Sequence, residues 1–110
     1  MIIRVDVDGT LCYSSATEEN NWDYRASVPI PRAVERVNRL YDRGHTIIIW
    51  TSRGTCTGKL EEALQITAEQ MKEWGVKYHK IEVGKPYYDL LIDDKALNPY
   101  DWATWRDSYE

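Results

Sequence analysis

Two apolar stretches of the sequence each run into a pair of aspartates. The four aspartates are Asp6, Asp8, Asp93 and Asp94. Apolar, β-branched runs of this length predict strands. Residues two apart in a strand project to the same face, so Asp6 and Asp8 are expected side by side. Close carboxylates repel each other unless a shared proton or a divalent cation such as Mg²⁺ relieves the repulsion, and the pattern therefore predicts a chemical site at a strand end.

Between these stretches, strand and helix patterns alternate. After a first strand over residues 2–7, the patterns predict a helix around residues 33–41, a strand over residues 46–51, a helix over residues 59–74, a strand over residues 76–83, a strand over residues 88–94 and a short terminal helix over residues 99–106. The run at residues 46–51 is continuously apolar, which favours a strand buried on both faces. The alternation predicts an α/β fold in which helices cover both faces of a mainly parallel sheet. The length of 110 residues fits one domain, residues 1–110.

Some segments leave their role open. Residues 12–31 show neither period and predict a long loop, whose Trp22 and Tyr24 either cover the carboxylates or pack the loop onto the surface. The arginines of the first helix are predicted to form a solvated face rather than an anion-binding stripe; they are Arg32, Arg36, Arg39 and Arg43. The lone histidines, His45 and His79, are expected to be structural or exposed.

The composition argues against several classes of protein. The net charge of −4 disfavours non-specific nucleic-acid binding, which rewards clustered lysines and arginines. Two cysteines, Cys12 and Cys56, are too few for a disulfide framework or a zinc knuckle. No signal-peptide pattern or membrane-spanning run is present, so a soluble protein of the cytoplasm is expected.

The residues that carry chemistry all fall at predicted strand ends. Besides the aspartates, Thr51 and Ser52 follow the second strand, and Lys85 lies in the loop before the last one. Sites of open parallel sheets lie outside the carboxyl ends of the strands. The hydroxyls of Thr51 and Ser52 and the glycine-containing turns around them are suited to phosphate oxygens.

Four motifs in this order resemble those of the haloacid dehalogenase superfamily. They are DVDGTL at residues 6–11, the threonine of IIIWTSR, the lysine of GKP and the DD that follows LLI. The resemblance covers about residues 2–95. It implies a Rossmann-like three-layer sandwich with sheet order 4-1-2-3 and phosphoryl transfer that depends on Mg²⁺.

The resemblance also implies a role for each site residue. Asp6 would be the nucleophile that forms an aspartyl-phosphate, and Asp8 would move protons to the leaving group and from water. The implied phosphate-binding residues are Gly9, Thr51, Ser52 and Lys85, and the implied Mg²⁺ ligands are Asp6, Asp8, Asp93 and Asp94.

The gaps between the motifs leave no room for the cap domain that larger relatives carry. Capless members act on large substrates or close the site by oligomerising, and residues 12–31, residues 54–58 and the aromatic tail are candidates for covering it here. The tail aromatics, Tyr100, Trp102 and Trp105, are otherwise expected to pack onto the sheet. More loosely, the chain is similar to small phosphatases of capsule and polysaccharide biosynthesis.

Three functions remain open at this point. The first is a Mg²⁺-dependent phosphomonoesterase acting on a small phosphometabolite, with a sugar or polyol phosphate favoured. The second is a phosphatase acting on a nucleic-acid 3′-phosphate or a phosphoprotein, and the third is a non-catalytic binding domain with the same fold. In the first, the partners are a small phosphorylated substrate and a second copy that closes the site, without nucleic acid or membrane.

Overall fold

The chain forms an α/β structure with a three-stranded parallel sheet and a small β-hairpin. The computed structural model describes residues 1–104. The strands are β1 (Ile2–Val5), β2 (Cys12–Tyr13), β3 (Val28–Pro29), β4 (Thr46–Trp50) and β5 (Lys80–Glu82), and the helices are α1 (Pro31–Asp42), α2 (Leu60–Trp74) and α3 (Pro99–Thr104). The sheet order is β1-β4-β5, and β2 pairs with β3 in the antiparallel hairpin.

Both long helices begin and end within two residues of their predicted bounds. Helix α1 starts at Pro31, whose missing N–H costs nothing in the first turn. Helix α2 ends at Gly75, which adopts a left-handed conformation with φ +72°. The apolar stripes of both helices enter one core with the strands, so amphipathic period and end signals together determined these elements.

The core lies on one face of the sheet. Val5, Ile47 and Ile49 are buried against Val37 of α1 and Met71 of α2. Both crossover connections step in the same direction across the sheet, and right-handed crossovers then place both helices on the same face.

The opposite face of the sheet is only partly covered. Ile48 and Trp50 of β4 are half-buried there, although β4 was predicted to be buried on both faces. The predicted three-layer sandwich is therefore reduced to two layers within residues 1–104, because no crossover steps back across β1 to place a helix on this face.

The predicted fourth strand is absent from the described sheet. Residues 88–94 form no β-ladder, and Leu90 and Ile92 are 76% and 90% exposed. In the predicted order 4-1-2-3, the strands numbered 1, 2 and 3 correspond to β1, β4 and β5. The strand numbered 4 is not formed. Local composition favours a strand here, but the segment has no neighbouring strand with which to pair.

Two smaller predictions are also corrected. The predicted loop over residues 12–31 contains the β2-β3 hairpin and two 3-10 helices, Glu18–Asn20 and Tyr24–Ala26. Among the arginines of α1, Arg36 is buried rather than solvated, because its guanidinium lies 5.5 Å from the ring of Trp102 in α3.

The terminal segment forms the predicted helix as far as it is described, but only one of its two described aromatic side chains packs as expected. Helix α3 covers Pro99–Thr104, and Trp105 lies outside the described residues. Trp102 packs against the core, whereas Tyr100 is 86% exposed. None of the helices in residues 1–104 combines the length and the apolar character needed to cross a lipid bilayer.

Two leucines on the long helices test the position of the core. Leu40 in α1 is 3% exposed and Leu64 in α2 is 42% exposed. We expect Leu40→Ala to lower the free energy of unfolding by about 2–5 kcal/mol, because it removes buried methyl groups and leaves a cavity. Leu64→Ala changes the same atoms and should cost less than about 1 kcal/mol. Urea unfolding of both variants measures the difference, and equal losses would contradict the assignment of the core.

Candidate active site

A tight turn over residues 7–11 follows β1 and contains Asp8, whereas Asp6 lies just before it. The carbonyl of Val7 accepts hydrogen bonds from the N–H groups of Thr10 and Leu11, at 3.1 and 2.8 Å. Gly9 adopts φ +82°, a conformation that residues with a Cβ atom disfavour. Asp6 and Asp8 have different partners here, although the charge of Asp8 still acts to raise the pKa of Asp6.

Asp6 lies in a cleft at the carboxyl end of the sheet. The cleft is also lined by Ser52, Lys85, Tyr87 and Tyr88. Burial raises the pKa of Asp6, and the charge of Lys85 acts in the opposite direction, as do hydrogen bonds from the N–H of Val7 and the hydroxyl of Thr10. Asp6 is therefore a poorly hydrated carboxylate beside a fixed positive charge.

Lys85 is held in place by its backbone and by two aromatic rings. Its N–H donates to the carbonyl of Thr51 at 2.9 Å, and its carbonyl accepts from the hydroxyl of Thr55 at 2.7 Å. Its ammonium lies 4.5 Å from the ring of Trp50 and 5.0 Å from that of Tyr88. Such cation–π contacts hold the ammonium in position at this strand end.

Asp8 is bound by a buried arginine. Arg53 Nε donates to Asp8 Oδ2 at 3.0 Å and Arg53 Nη2 donates to Asp8 Oδ1 at 2.8 Å, the two-bond geometry that guanidinium groups favour. The side chain of Arg53 is 0% exposed and that of Asp8 is 28% exposed. Both carboxylate oxygens of Asp8 are therefore held by Arg53, while part of the Asp8 side chain still reaches solvent.

Arg53 also reaches helix α2 and the segment before β3. Its Nη1 donates to Gln70 Oε1 at 2.6 Å and to Thr67 Oγ1 at 3.3 Å. Its guanidinium lies 4.6 Å from the ring of Tyr24, and Nη2 approaches Ser27 Oγ at 3.4 Å. This role was not predicted from the sequence. Its only local signal is an arginine between a strand-end hydroxyl pair and Gly54, and such an arginine usually faces solvent.

Cys12 lies beside the same ion pair, and its thiol is unreactive. Its Sγ lies 3.5 Å from Asp8 Oδ1 and 3.6 Å from the carbonyl of Val7. Burial and then the charge of Asp8 raise the pKa of Cys12 to about 12. The thiolate is the nucleophilic form of cysteine, so Cys12 is not the nucleophile of this site at neutral pH.

The predicted phosphate-binding residues differ in whether they line the cleft. Ser52 is exposed and lines it with Lys85. Thr51 is buried and is not among the residues that line the cleft, and its Oγ1 accepts from the N–H of Arg53 at 3.2 Å. The N–H of Gly9 donates to the carbonyl of Cys12 at 2.9 Å and is therefore not directed at a ligand.

The predicted metal ligands are not brought together within one chain. Asp93 and Asp94 are both exposed, and Asp93 Oδ1 accepts from the N–H of Lys95 at 2.7 Å. No group of three or more acidic, histidine or cysteine side chains that could hold a metal ion occurs within residues 1–104. The carboxylate of Asp6 is a kind of ligand that a hard cation prefers, but residues 1–104 of a single chain place too few such donors beside it.

The ion pair between Arg53 and Asp8 can be tested by removing one partner. Arg53→Met keeps much of the side-chain volume but leaves the Asp8 carboxylate without its counter-charge in a largely enclosed site. We expect a loss of about 2–4 kcal/mol in the free energy of unfolding, partly recovered when Asp8→Asn is added.

The matched control is Arg25→Met at an exposed ion pair. Arg25 bonds Glu69 at 3.0 Å, with 61% and 49% of the two side chains exposed. This control should cost less than about 1 kcal/mol. Urea unfolding of the variants measures both effects, and a loss at Arg53 as small as that at Arg25 would contradict the role described here.

Comparison with known proteins gives one structural relative. No protein-family model matches the sequence, and no curated protein matches it at a significant level. The structure is similar to the crystal structure of a structural-genomics target from Vibrio cholerae, with a TM-score of 0.78 and 32% sequence identity. The match covers 96% of this chain and 90% of that one. At this identity and coverage, the chain belongs to the same family as the Vibrio cholerae protein.

Proposed function

We propose that the protein is a capless phosphomonoesterase of the haloacid dehalogenase type, with a Rossmann-like sheet and an aspartyl-phosphate intermediate. The observation that carries the proposal is that the two aspartates have different partners. Asp6 shares a cleft with Lys85 and Ser52, whereas Asp8 is neutralised by Arg53. One carboxylate is thus positioned to attack an anionic group, and the other is held by a counter-charge beside it.

The first step forms a bond between Asp6 and phosphorus. A carboxylate oxygen of Asp6 attacks the phosphorus atom, the bond from phosphorus to the ester oxygen breaks, and that oxygen leaves with the electron pair. The ammonium of Lys85 and the hydroxyl of Ser52 are suited to bind the phosphoryl oxygens as they gain charge. The products of this step are an aspartyl-phosphate and the released alcohol.

Asp8 would carry the proton in both steps. It enters the first step protonated and gives that proton to the leaving oxygen. As a carboxylate it then takes a proton from the water that attacks the aspartyl-phosphate, which regenerates Asp6, restores the proton on Asp8 and releases inorganic phosphate. Each Asp8 oxygen that accepts from Arg53 keeps a second lone pair for this purpose. Arg53 is a positioning residue in this scheme, because it acts by orienting Asp8.

A small phosphometabolite is the favoured substrate. The cleft is open and its aromatic rim includes Tyr87, 69% exposed. The looser resemblance to phosphatases of polysaccharide biosynthesis places sugar and polyol phosphates first. A macromolecular phosphate is the alternative that an open cleft allows. Phosphate release from a panel of sugar phosphates, compared with 3′-phosphorylated oligonucleotides and a phosphopeptide, separates the two.

The role of Asp6 is tested by Asp6→Asn. Because the amide is a poor nucleophile, we expect phosphate release from an aryl phosphate to fall by at least about 10³-fold. Asp42→Asn is the matched control, since Asp42 forms an exposed ion pair with Lys77 at 2.7 Å, away from the cleft. The control should retain the activity of the unmodified protein. Turnover by Asp6→Asn at a similar rate would refute the nucleophile assignment.

Dependence on Mg²⁺ belongs to the same proposal. When bound, the ion offsets the repulsion between an anionic carboxylate and an anionic phosphate. We expect chelation with EDTA to abolish phosphate release and added Mg²⁺ to restore it. Full activity in the presence of chelator would show that Lys85 alone supplies the required positive charge and would overturn the metal requirement.

A further inference from the structure

The segment between Lys85 and helix α3 has the sequence of a core strand but the exposure of a surface loop. We call residues 86–98 the C-terminal arm. Leu90 and Ile92 are 76% and 90% exposed, and the arm forms no β-ladder within the described chain. Contiguous apolar surface of this kind typically marks an interaction site. The composition of the arm therefore suits a strand in a sheet, but the arm has no neighbouring strand among residues 1–104.

The sheet has a complementary feature at β1. The order β1-β4-β5 pairs β1 on one side only, so its other edge carries backbone groups with no strand beside them among residues 1–104. Ile2 on this strand is 73% exposed. An open edge next to apolar side chains favours the addition of a further strand.

The arm cannot reach this edge of its own chain in the parallel direction. The N–H of Lys85 bonds the carbonyl of Thr51 at the carboxyl end of the sheet, on the β5 side of β4. A parallel strand beside β1 would start about 14 Å across the sheet and about 10 Å toward its amino end. Residues 86–89 alone connect Lys85 to Leu90, a stretch of at most about 18 Å when fully extended.

An extended stretch of about 18 Å would reach the start of such a strand only along a straight line that passes through the sheet itself. A path around a face of the sheet is longer, and parallel neighbours normally need a crossover of about a dozen residues or more. An antiparallel pairing within the chain is within reach. It would, however, place Asp93 and Asp94 at the amino end of the sheet, at the opposite end of β1 from Asp6.

We infer that the arm is exchanged between two copies of the chain. Leu90–Ile92 of each copy adds to the open edge of β1 in the other, parallel to it, so that the sheet acquires the order 4-1-2-3 with its fourth strand from the second copy. The exchange is reciprocal, so the contact is closed by a two-fold axis. Residues 86–89 are the hinge of this exchange. They are too few for the arm to pair in the parallel direction with β1 of its own chain.

The exchange also supplies the carboxylates that the site lacks. With Ile92 level with Val5, Asp93 of the second copy lies beside Asp6, and Asp94 follows it at the carboxyl end of the sheet. This step rests on the proposed function, which requires further oxygen ligands for Mg²⁺ beside Asp6. Each active site is then built from two chains and is incomplete in a single one.

The arrangement is tested first by disulfide trapping, which needs no catalytic activity. In a Cys56→Ser background, Ile2→Cys and Asp89→Cys are introduced into separate chains, one of them carrying a size tag. The proposed register places these two positions opposite each other. Mild oxidation of the mixture should give a covalent heterodimer on a non-reducing gel, and light scattering should give twice the chain mass of 12.9 kDa for the unmodified protein.

The control pairs Ile2→Cys with Lys95→Cys, which lies beyond the opposite end of the proposed strand. Little cross-linking is expected there. Predominant cross-linking of this control pair would indicate antiparallel pairing, and an unmodified protein of single-chain mass would indicate no exchange. Either result would overturn the proposal, as would an intramolecular disulfide in a chain that carries both Ile2→Cys and Asp89→Cys.

Complementation then tests the shared site. Asp6→Asn and Asp93→Asn are each expected to be inactive, but unfolding and refolding them together yields heterodimers with one intact site. About a quarter of the unmodified activity should return, since half of the dimers are mixed and each has one complete site. No recovery in an active phosphatase would refute the shared site. If the unmodified protein has no phosphatase activity, the trapping experiment still tests the exchange, so the two failures remain distinguishable.

Discussion

The ion pair between Arg53 and Asp8 connects the regions of the molecule on which the site depends. Asp8 lies in the turn after β1, and Arg53 lies in the loop after β4. Through Gln70, whose Nε2 donates to the carbonyl of Tyr24 at 2.7 Å, the same arginine reaches α2 and the segment before β3. A buried guanidinium must have its charge balanced and its donors satisfied, so these segments are held in one mutual arrangement.

This arrangement explains how four charged groups can share one end of a small sheet. Asp6 and Asp8 repel each other, but Arg53 balances Asp8 and Lys85 lies close enough to Asp6 to lower its pKa against the effect of burial. Because each aspartate has its own cation, a change at Arg53 would affect Asp8 directly, and Asp6 through the charge of Asp8 and the position of the turn. The attacking and proton-carrying roles proposed for the aspartates depend on this division.

The sequence predicted the helices, and it predicted that Asp6, Ser52 and Lys85 meet at the strand ends, because these signals are local. A proline at the start of α1, Gly75 after α2 and the apolar run of β4 each act within a few residues. Burial of Arg53 could not be predicted in this way, since its partners Asp8 and Gln70 lie 45 and 17 residues away in the chain. The predicted solvation of Arg36 was wrong for a similar reason, because Trp102 packs over it from a distant helix.

The two apolar runs that precede aspartates show why local pattern does not determine strand pairing. β1 and residues 90–92 have similar composition, but β1 is followed by a helix long enough to bring the chain back to the start of a parallel neighbour. The second run follows Lys85 after four residues, of which one is proline. A strand needs a partner as well as a favourable composition, and the connection length decides which chain can supply that partner. For this protein, the constraint favours a second copy, and it makes the short segment after Lys85 as important to the proposed active site as the aspartates themselves.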